Sequence, residues 1–253
     1  MKPLPHSVER SILIDTEPAT VFSFFTDSAL WSAWWGAGSS VEPHVGGPIK
    51  VVHSNGFVST GEVLAIDPPR CFAFTFSMQG AQPILAEDSR VTLRLEPQGA
   101  STRLSVLHEV ADAAVASSLP QGWRFHFSVF ANALADHLYA HASDSVSQWF
   151  AAWSQADSAA RTAALAAIAE PTIEFRDRYS MLQGLDELNA QLDAVQRFMP
   201  GISTQLEGSV RHCQGTVLAD WSSIKEGKPV AHGTNVFQLA PSGKIRSVVG
   251  IRD

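Results

Sequence analysis

The sequence predicts an α+β protein made of two domains, and two observations carry this prediction. Residues 122–141 form a long apolar stripe at helical spacing, and short alternating segments separated by turn residues precede it. After this stretch the pattern starts again with helices, which are followed by a second group of strands. We therefore expect one domain over residues 1–142 and another over residues 143–253.

The first predicted domain is a helix-grip arrangement, in which an antiparallel sheet wraps around a long final helix. A strand at 8–14 and two short helices come first, and a meander of further strands reaches residue 109. Pro120 predicts the beginning of the final helix, because proline is tolerated in a first helical turn. Phe125 and Val129 are expected to widen the apolar stripe of this helix.

Alternation along the strands selects the inner face of the first sheet. Phe72 and Phe76 lie on the same side of their strand as Phe74, and burial of each ring is worth about 1.5–3 kcal/mol. The cleft between this face and the long helix is the natural cavity of the domain. Its candidate ligand contacts are Trp35, Phe74, His108, Trp123 and Phe127. A hydrogen-bonded place in the core is the alternative for His108.

An ordered set of motifs extends this prediction. The segments RSILIDTEPATVFSFFTDSALWSAWWG, GEVLAIDPPRCFAFTF, SRVTLRLEP and TRLSVLHE follow one another along the chain. This order resembles the START-like (SRPBCC) superfamily and, more narrowly, the branch named after the activator of heat-shock-protein-90 ATPase. The resemblance covers nearly all of residues 8–140. It implies a fold that binds a ligand or contacts a chaperone, without a shared catalytic residue.

The second half carries a different set of motifs, AAWSQAD, IEFRDRYSMLQGLDEL, GKPVAHGTNVF and APSGKIRSVVG. These segments resemble the SnoaL-like branch of the nuclear-transport-factor-2-like superfamily over residues 146–252. The resemblance implies a cone-shaped α+β barrel with a pocket at its mouth. Members of that superfamily include polyketide cyclases, ketosteroid isomerases and proteins that only bind ligands.

Asp177 is the main candidate for catalysis. It shares a strand face with Ile173 and Phe175, so its side chain should point inward among apolar groups. A carboxylate in such surroundings is a stronger base than one in water, which suits proton abstraction. The resemblance to the isomerases implies the same role for it. The alternative is a carboxylate at the barrel mouth that pairs with Arg176, Arg178 or a backbone N–H.

Asn235 is the candidate partner of Asp177. Alternation places it inward together with Phe237, and the resemblance implies a hydrogen-bond donor to an oxyanion at this place. Candidate ligand contacts of the second domain are Trp149, Phe175 and Phe237. For Trp149 the resemblance implies a second donor, and packing in the core is the alternative.

Composition limits the other functions. The net charge is −7 and no basic tract occurs, which argues against nucleic acid as a partner. The two cysteines lie far apart, and the sequence contains no motif for a metal or a cofactor. No secretion signal and no apolar run of roughly 18 residues is visible, so we expect a cytoplasmic protein without a membrane partner.

Three functional hypotheses remain open at this point. The protein binds a small apolar molecule in one or both cavities, or its second domain is an isomerase or cyclase with Asp177 as the base. The third hypothesis is chaperone stimulation through the first domain. The second domain is also expected to form a homodimer through the outer face of its sheet. Either Leu218 and Ile224 or the opposite face of the same strand would then be exposed.

Overall fold

The computed structural model describes residues 3–79 and 83–253. Contacts between residues divide the chain into two compact units, Met1–Leu134 and Ala135–Asp253. The predicted α+β class is confirmed, because each unit combines helices with a sheet. None of the helices in the described part of the chain combines the length and apolar content that a membrane crossing needs.

The first unit is built on a seven-stranded sheet in which every neighbouring pair is antiparallel. The order of its strands is β1-β7-β6-β5-β4-β3-β2. In chain order the elements are β1 (His6–Ile14), α1 (Pro18–Thr26), α2 (Ser28–Trp35), β2 (Ser40–Val41), β3 (Pro48–Val52), β4 (Val58–Asp67), β5 (Cys71–Thr75), β6 (Ser89–Gln98), β7 (Ser101–Val110) and α3 (Ala113–Leu138).

The predicted inner face of this sheet is confirmed. Phe72, Phe74 and Phe76 are all buried, as are the inward residues of β6 and β7. The aromatic side chains of α1 and α3 pack against them. The ring of Phe25 stacks on Phe72 and on Phe130, with centroid separations of 6.3 and 5.4 Å. The long helix therefore covers the face that alternation selects.

Helix α3 begins at Ala113, so the prediction that Pro120 marks its start is wrong. The physical reason is a cap that lies upstream: the Asp112 carboxylate accepts the backbone N–H groups of Ala114 and Val115, at 2.7 and 3.1 Å. Pro120 lies inside the helix. The expected widening by Phe125 is also wrong, because this side chain is 59% exposed.

The second unit consists of three helices and a six-stranded sheet, counted over the described residues. The strand order is β10-β11-β12-β13-β8-β9, and in the described chain the two edge strands do not pair, so the sheet is not a closed barrel. The elements are α4 (Ala142–Ser154), α5 (Ser158–Ile168), β8 (Ala169–Arg176), β9 (Met181–Gln183), α6 (Gly184–Phe198), β10 (Ser203–Cys213), β11 (Thr216–Lys225), β12 (Lys228–Leu239) and β13 (Ile245–Arg252).

The burial of residues along β11 shows which face of this strand points into the second unit. Val217 and Ala219 are fully buried, whereas Leu218 and Ile224 are only partly buried on the opposite side. The outer face is therefore the one that carries Leu218 and Ile224. Self-association through this face stays a prediction.

Candidate functional site

A cavity of about 540 Å³ lies in the second unit, between α4, α6 and the strands β8 and β11–β13. Its walls are mainly apolar. The aromatic and aliphatic residues that line it are Phe150, Trp153, Phe175, Tyr179, Trp221, Val195, Met199, Ile202, Val230 and Ala231. A volume of this size suits a small organic molecule, and apolar walls with a few polar groups are typical of ligand sites.

Asp177 and Asn235 both line this cavity, and Gly250 lies between them. Asn235 pairs with Gly250 across β12 and β13, and β13 runs parallel to β8, whose end residue Arg176 pairs with Val249. Asp177 follows Arg176, so Asp177, Gly250 and Asn235 lie in one row across three strands. The outer members of such a row are about 10 Å apart at Cα. Gly250 has no side chain, and a Cβ atom there would lie 3.2 Å from Oδ1 of Asn235 and 3.3 Å from Cβ of Asp177.

The contacts of Asp177 leave one side of its carboxylate open. Its Oδ1 accepts the backbone N–H of Tyr179 at 2.8 Å, which closes a tight turn. Arg176 donates to Glu174 at 2.6 Å, and the Arg178 guanidinium lies over the Tyr179 ring, 5.8 Å from its centroid. In the described part of the chain Asp177 therefore forms no ion pair with either arginine.

Asn235 is a buried polar residue without a protein partner. Its side chain is 6% exposed, it lines the cavity, and it makes no hydrogen bond with any described residue. The amide is therefore available to a molecule in the cavity.

The predicted aromatic contacts of the second unit divide into two groups. Phe175 lines the cavity, whereas Trp149 and Phe237 lie in the core behind it. Trp149 stacks on Phe175 with a centroid separation of 6.1 Å and meets Phe237 edge to face at 5.8 Å. These two residues support the wall of the cavity from behind.

Sequence reasoning missed Trp153 and Gly250, which shape the cavity, and left open whether the face of β11 that carries Trp221 points inward. A signal existed for the two tryptophans, because Trp153 lies one helical turn after Trp149 and Trp221 has the same strand parity as Ala219. No local sequence pattern marks Gly250, because its role in the cavity depends on the residues of the neighbouring strands. The indole N–H groups of Trp153 and Trp221 are buried and have no hydrogen-bond partner in the described chain.

The five predicted ligand contacts of the first unit lie in its core. Each is at most 6% exposed, and their rings pack on one another and on Phe76. The cavity of about 440 Å³ in this unit is lined by Pro83, Ile84, Asp88, Val110, Ala111, Asp112 and Val115, and by none of the five. The assignment of Trp35, Phe74, His108, Trp123 and Phe127 to a ligand stays a prediction.

His108 has a complete set of hydrogen bonds inside this core. The Trp123 indole donates to its Nδ1 at 3.0 Å, so the proton of the neutral ring lies on Nε2 and points to the Ser89 hydroxyl at 2.8 Å. Burial lowers the pKa of His108 to about 4. Burial, together with the nearby His53, also lowers the pKa of His126 to about 4. Both rings are neutral at neutral pH.

The described residues contain no group of three or more His, Cys, Asp or Glu side chains that could hold a metal ion. Cys71 and Cys213 are both free thiols. The polar groups that the second-unit cavity offers to a ligand are therefore carboxylate, amide, hydroxyl and cationic side chains.

Comparison with known proteins gave matches of two kinds. The family model described as Activator of Hsp90 ATPase homolog 1-like protein matches residues 15–137, a little under half of the chain. No curated protein matches the chain. Similar solved structures include a proposed isomerase of the SnoaL-like family from Agrobacterium tumefaciens, which is 24% identical, with 46% of this chain and 98% of that one covered and a TM-score of 0.43.

Two further structures extend this comparison. The Aha1 dimer from Colwellia psychrerythraea is 19% identical, with 49% of this chain and 92% of that one covered and a TM-score of 0.40. An HSP90 activator from Plasmodium falciparum is 21% identical, with 47% and 87% covered and a TM-score of 0.39. Residues 15–137, most of which lie in the first unit, are thus similar to the family described as Activator of Hsp90 ATPase homolog 1-like protein.

Proposed function

We propose that the second unit binds a small, mostly apolar organic molecule in its cavity. The observation that carries this proposal is the combination of aromatic walls with the unpartnered Asn235 amide at the inner end. Transfer of apolar surface out of water supplies binding free energy, and one oriented polar group supplies selectivity. A ligand with an apolar body and a hydrogen-bonding oxygen fits both features.

A matched pair of variants on α6 tests this proposal. Val195 lines the cavity, and Val195→Trp would fill part of it, whereas Ala190 is exposed on the same helix and does not line it. The neutral fluorophore N-phenylnaphthylamine serves as the probe. We expect saturable binding to the wild type and to Ala190→Trp, and at least about 10-fold weaker binding to Val195→Trp.

Equal affinity of the probe for the wild type and Val195→Trp would contradict binding in this cavity. Both variants must keep the helix and strand content of the wild type, which circular dichroism measures. Ala190→Trp controls for the introduction of an indole into the same helix.

Proton transfer beside a carbonyl group is the second candidate function, and the row of Asp177, Gly250 and Asn235 favours it. The free oxygen of the Asp177 carboxylate would accept a proton from a carbon next to the carbonyl. The electron pair of that C–H bond would form a carbon–carbon double bond as the π pair of the carbonyl moves onto its oxygen, and the Asn235 amide would donate a hydrogen bond to the enolate oxygen. Return of the proton to a different carbon would complete an isomerisation.

Isotope exchange tests this second candidate without knowledge of the substrate. β-Tetralone has acidic C–H groups next to its carbonyl, and NMR follows their exchange in D₂O. We expect the wild type to accelerate exchange and Asp177→Asn to lose at least about 100-fold of that acceleration, because the proton acceptor is gone. Asp220→Asn is the control, since Asp220 bonds to Arg211 and Thr234 and does not line the cavity.

The two candidates make separable predictions. Asp177→Asn should keep the affinity for N-phenylnaphthylamine, because the two side chains are nearly equal in size and Asn can still accept the Tyr179 N–H. Binding without any acceleration of exchange by the wild type would leave a ligand-binding protein and exclude proton abstraction from this ketone.

A further inference from the structure

We propose that the ligand of the second unit is an organic anion, with its apolar body in the cavity and its charged group at the outer end between Lys225 and Arg252. This inference rests on the proposed binding function and adds the chemical class of the ligand. It starts from the position of these two cations at the apolar cavity.

Lys225 and Arg252 line the cavity, and neither side chain forms an ion pair or a hydrogen bond with a described residue. Five arginines of the described chain pair with carboxylates. The pairs are Arg70–Asp67, Arg90–Glu109, Arg161–Asp193, Arg176–Glu174 and Arg211–Asp220. Lys225 and Arg252 have no such partner, so both charges beside the cavity are available to an anionic ligand.

The strand register gives the cavity two different ends. Asn235 pairs with Gly250, and Gly233 pairs with Arg252, so Arg252 lies one inward-facing position farther out than Gly250. Ala231 pairs with Ser223, and Lys225 follows at the hairpin end of β11. Ala231 lies four positions from Asn235 along β12, a distance of about 13 Å. The cavity thus extends from a neutral amide at its inner end to a cation at its outer end.

The lining residues carry a positive balance. Lys225, Arg252 and Arg178 are cationic, and Asp177 is the one carboxylate among the lining residues of the described chain. Arg178 is engaged with the Tyr179 ring, and Asp177 lies at the inner end beside Gly250. The outer end therefore presents Lys225 and Arg252 to whatever enters. An anionic headgroup there would gain Coulomb attraction while its apolar body, about 10–13 Å long, contacts the aromatic walls.

Two probes with one skeleton test this inference. Anilinonaphthalene sulfonate is anionic, and N-phenylnaphthylamine is its neutral counterpart. The double variant Lys225→Gln/Arg252→Gln should weaken binding of the sulfonate by about 10-fold and change binding of the neutral probe by less than about 2-fold. In the wild type, added salt should weaken binding of the sulfonate only.

Lys228→Gln is the matched control. Lys228 pairs with Lys225 across the hairpin and does not line the cavity, so the control makes the same change at a neighbouring position. We expect it to leave both affinities within about 2-fold. An equal loss of both probes in the double variant would overturn the inference. A loss of sulfonate binding as large in Lys228→Gln would also overturn it, since net charge alone would then be responsible.

The outcome also separates this inference from the function on which it rests. If the wild type binds the neutral probe but the double variant does not lose affinity for the sulfonate, the anionic ligand class is overturned. Binding of an apolar molecule in the cavity is then retained. Failure of the wild type to bind either probe overturns the proposed function and the inference together.

Discussion

Two glycines on neighbouring strands limit what the second-unit cavity can tolerate. A Cβ atom at Gly250 would lie 3.2 Å from Oδ1 of Asn235 and 3.3 Å from Cβ of Asp177, which small shifts of these side chains relieve. A Cβ atom at Gly233 would lie 2.2 Å from the backbone oxygen of Ile251 and 2.7 Å from the Trp221 ring. The first position controls the space between two candidate site residues, and the second controls a strand contact.

We therefore expect opposite consequences from the two alanine substitutions. Gly250→Ala should cost less than about 1 kcal/mol of unfolding free energy, yet it should lower proton exchange by filling the gap between Asp177 and Asn235. Gly233→Ala should cost about 1–3 kcal/mol through overpacking. Denaturant unfolding and the β-tetralone assay measure the two effects, and unchanged exchange in Gly250→Ala would argue against joint action of Asp177 and Asn235.

The histidines of the first unit make its stability depend on pH. The pKa values of His108 and His126 are about 4 in the folded protein, below the ordinary value of 6.5, because burial disfavours the charged rings. The folded state then binds fewer protons than the unfolded state between these values. The free energy of unfolding is therefore unreduced by these histidines above about pH 6.5, and it falls as the pH drops toward 4.

The expected loss is roughly 2 kcal/mol for each of these histidines between pH 7 and pH 5. His108→Gln remains neutral throughout this range, and its amide can still donate to Ser89. Urea unfolding at both pH values should therefore show a smaller loss for His108→Gln than for the wild type. Equal losses of unfolding free energy in the two proteins would show that His108 does not contribute to the pH dependence.

At the scale of elements, the helix-on-sheet contact of the first unit depends on Phe74. The Phe74 side chain is fully buried. The Trp31 ring packs edge to face against it, with the ring centroids 5.8 Å apart. Phe74→Ala should cost about 3–5 kcal/mol. Phe125→Ala on α3 is the control, because its ring is 59% exposed and the change should stay within about 0.5 kcal/mol. A loss below about 1 kcal/mol for Phe74→Ala would contradict the packing of this face.

The helices and strands also show which features of the fold local sequence signals can predict. Strand alternation was sufficient for the inner face with Phe72 and Phe74, because the two-residue period is a local property. The beginning of α3 was mistaken because two local signals compete, and the Asp112 cap prevails over Pro120. No local signal encodes the parallel pairing of β8 with β13.

The same distinction, between local sequence signals and pairings of distant strands, applies to the candidate site. Alternation predicts that Asp177 and Asn235 face inward, and both line the cavity. Their position on either side of Gly250 depends on a pairing between distant strands, so no local pattern could reveal it. Burial of Trp149 behind the wall depends on tertiary packing in the same way.

At the scale of the whole molecule, the expected separation near residue 143 can be made more specific. Tyr139 belongs to the second unit, where its ring meets His212 with centroids 5.6 Å apart. It also covers Gly215, whose Cβ position lies 3.1 Å from the Tyr139 ring. A fragment that begins at residue 143 lacks this contact.

We expect fragments 1–142 and 143–253 each to unfold cooperatively. Fragment 135–253 should be more stable than fragment 143–253 by about 1 kcal/mol, because it keeps the Tyr139 contacts. Thermal unfolding followed by circular dichroism measures the difference. Absence of a cooperative transition in both short fragments would mean that the halves do not fold independently.

The most direct test of a ligand site in the second unit uses the indole N–H signals of the seven tryptophans, assigned by single Trp→Phe variants. Trp153 and Trp221 line the cavity, and the tryptophans of the first unit are Trp31, Trp34, Trp35 and Trp123. Saturation of the ¹⁵N-labelled protein with N-phenylnaphthylamine should shift the signals of Trp153 and Trp221 and leave the four first-unit signals in place. Shifts confined to the first unit, or unmoved signals of Trp153 and Trp221, would contradict the account.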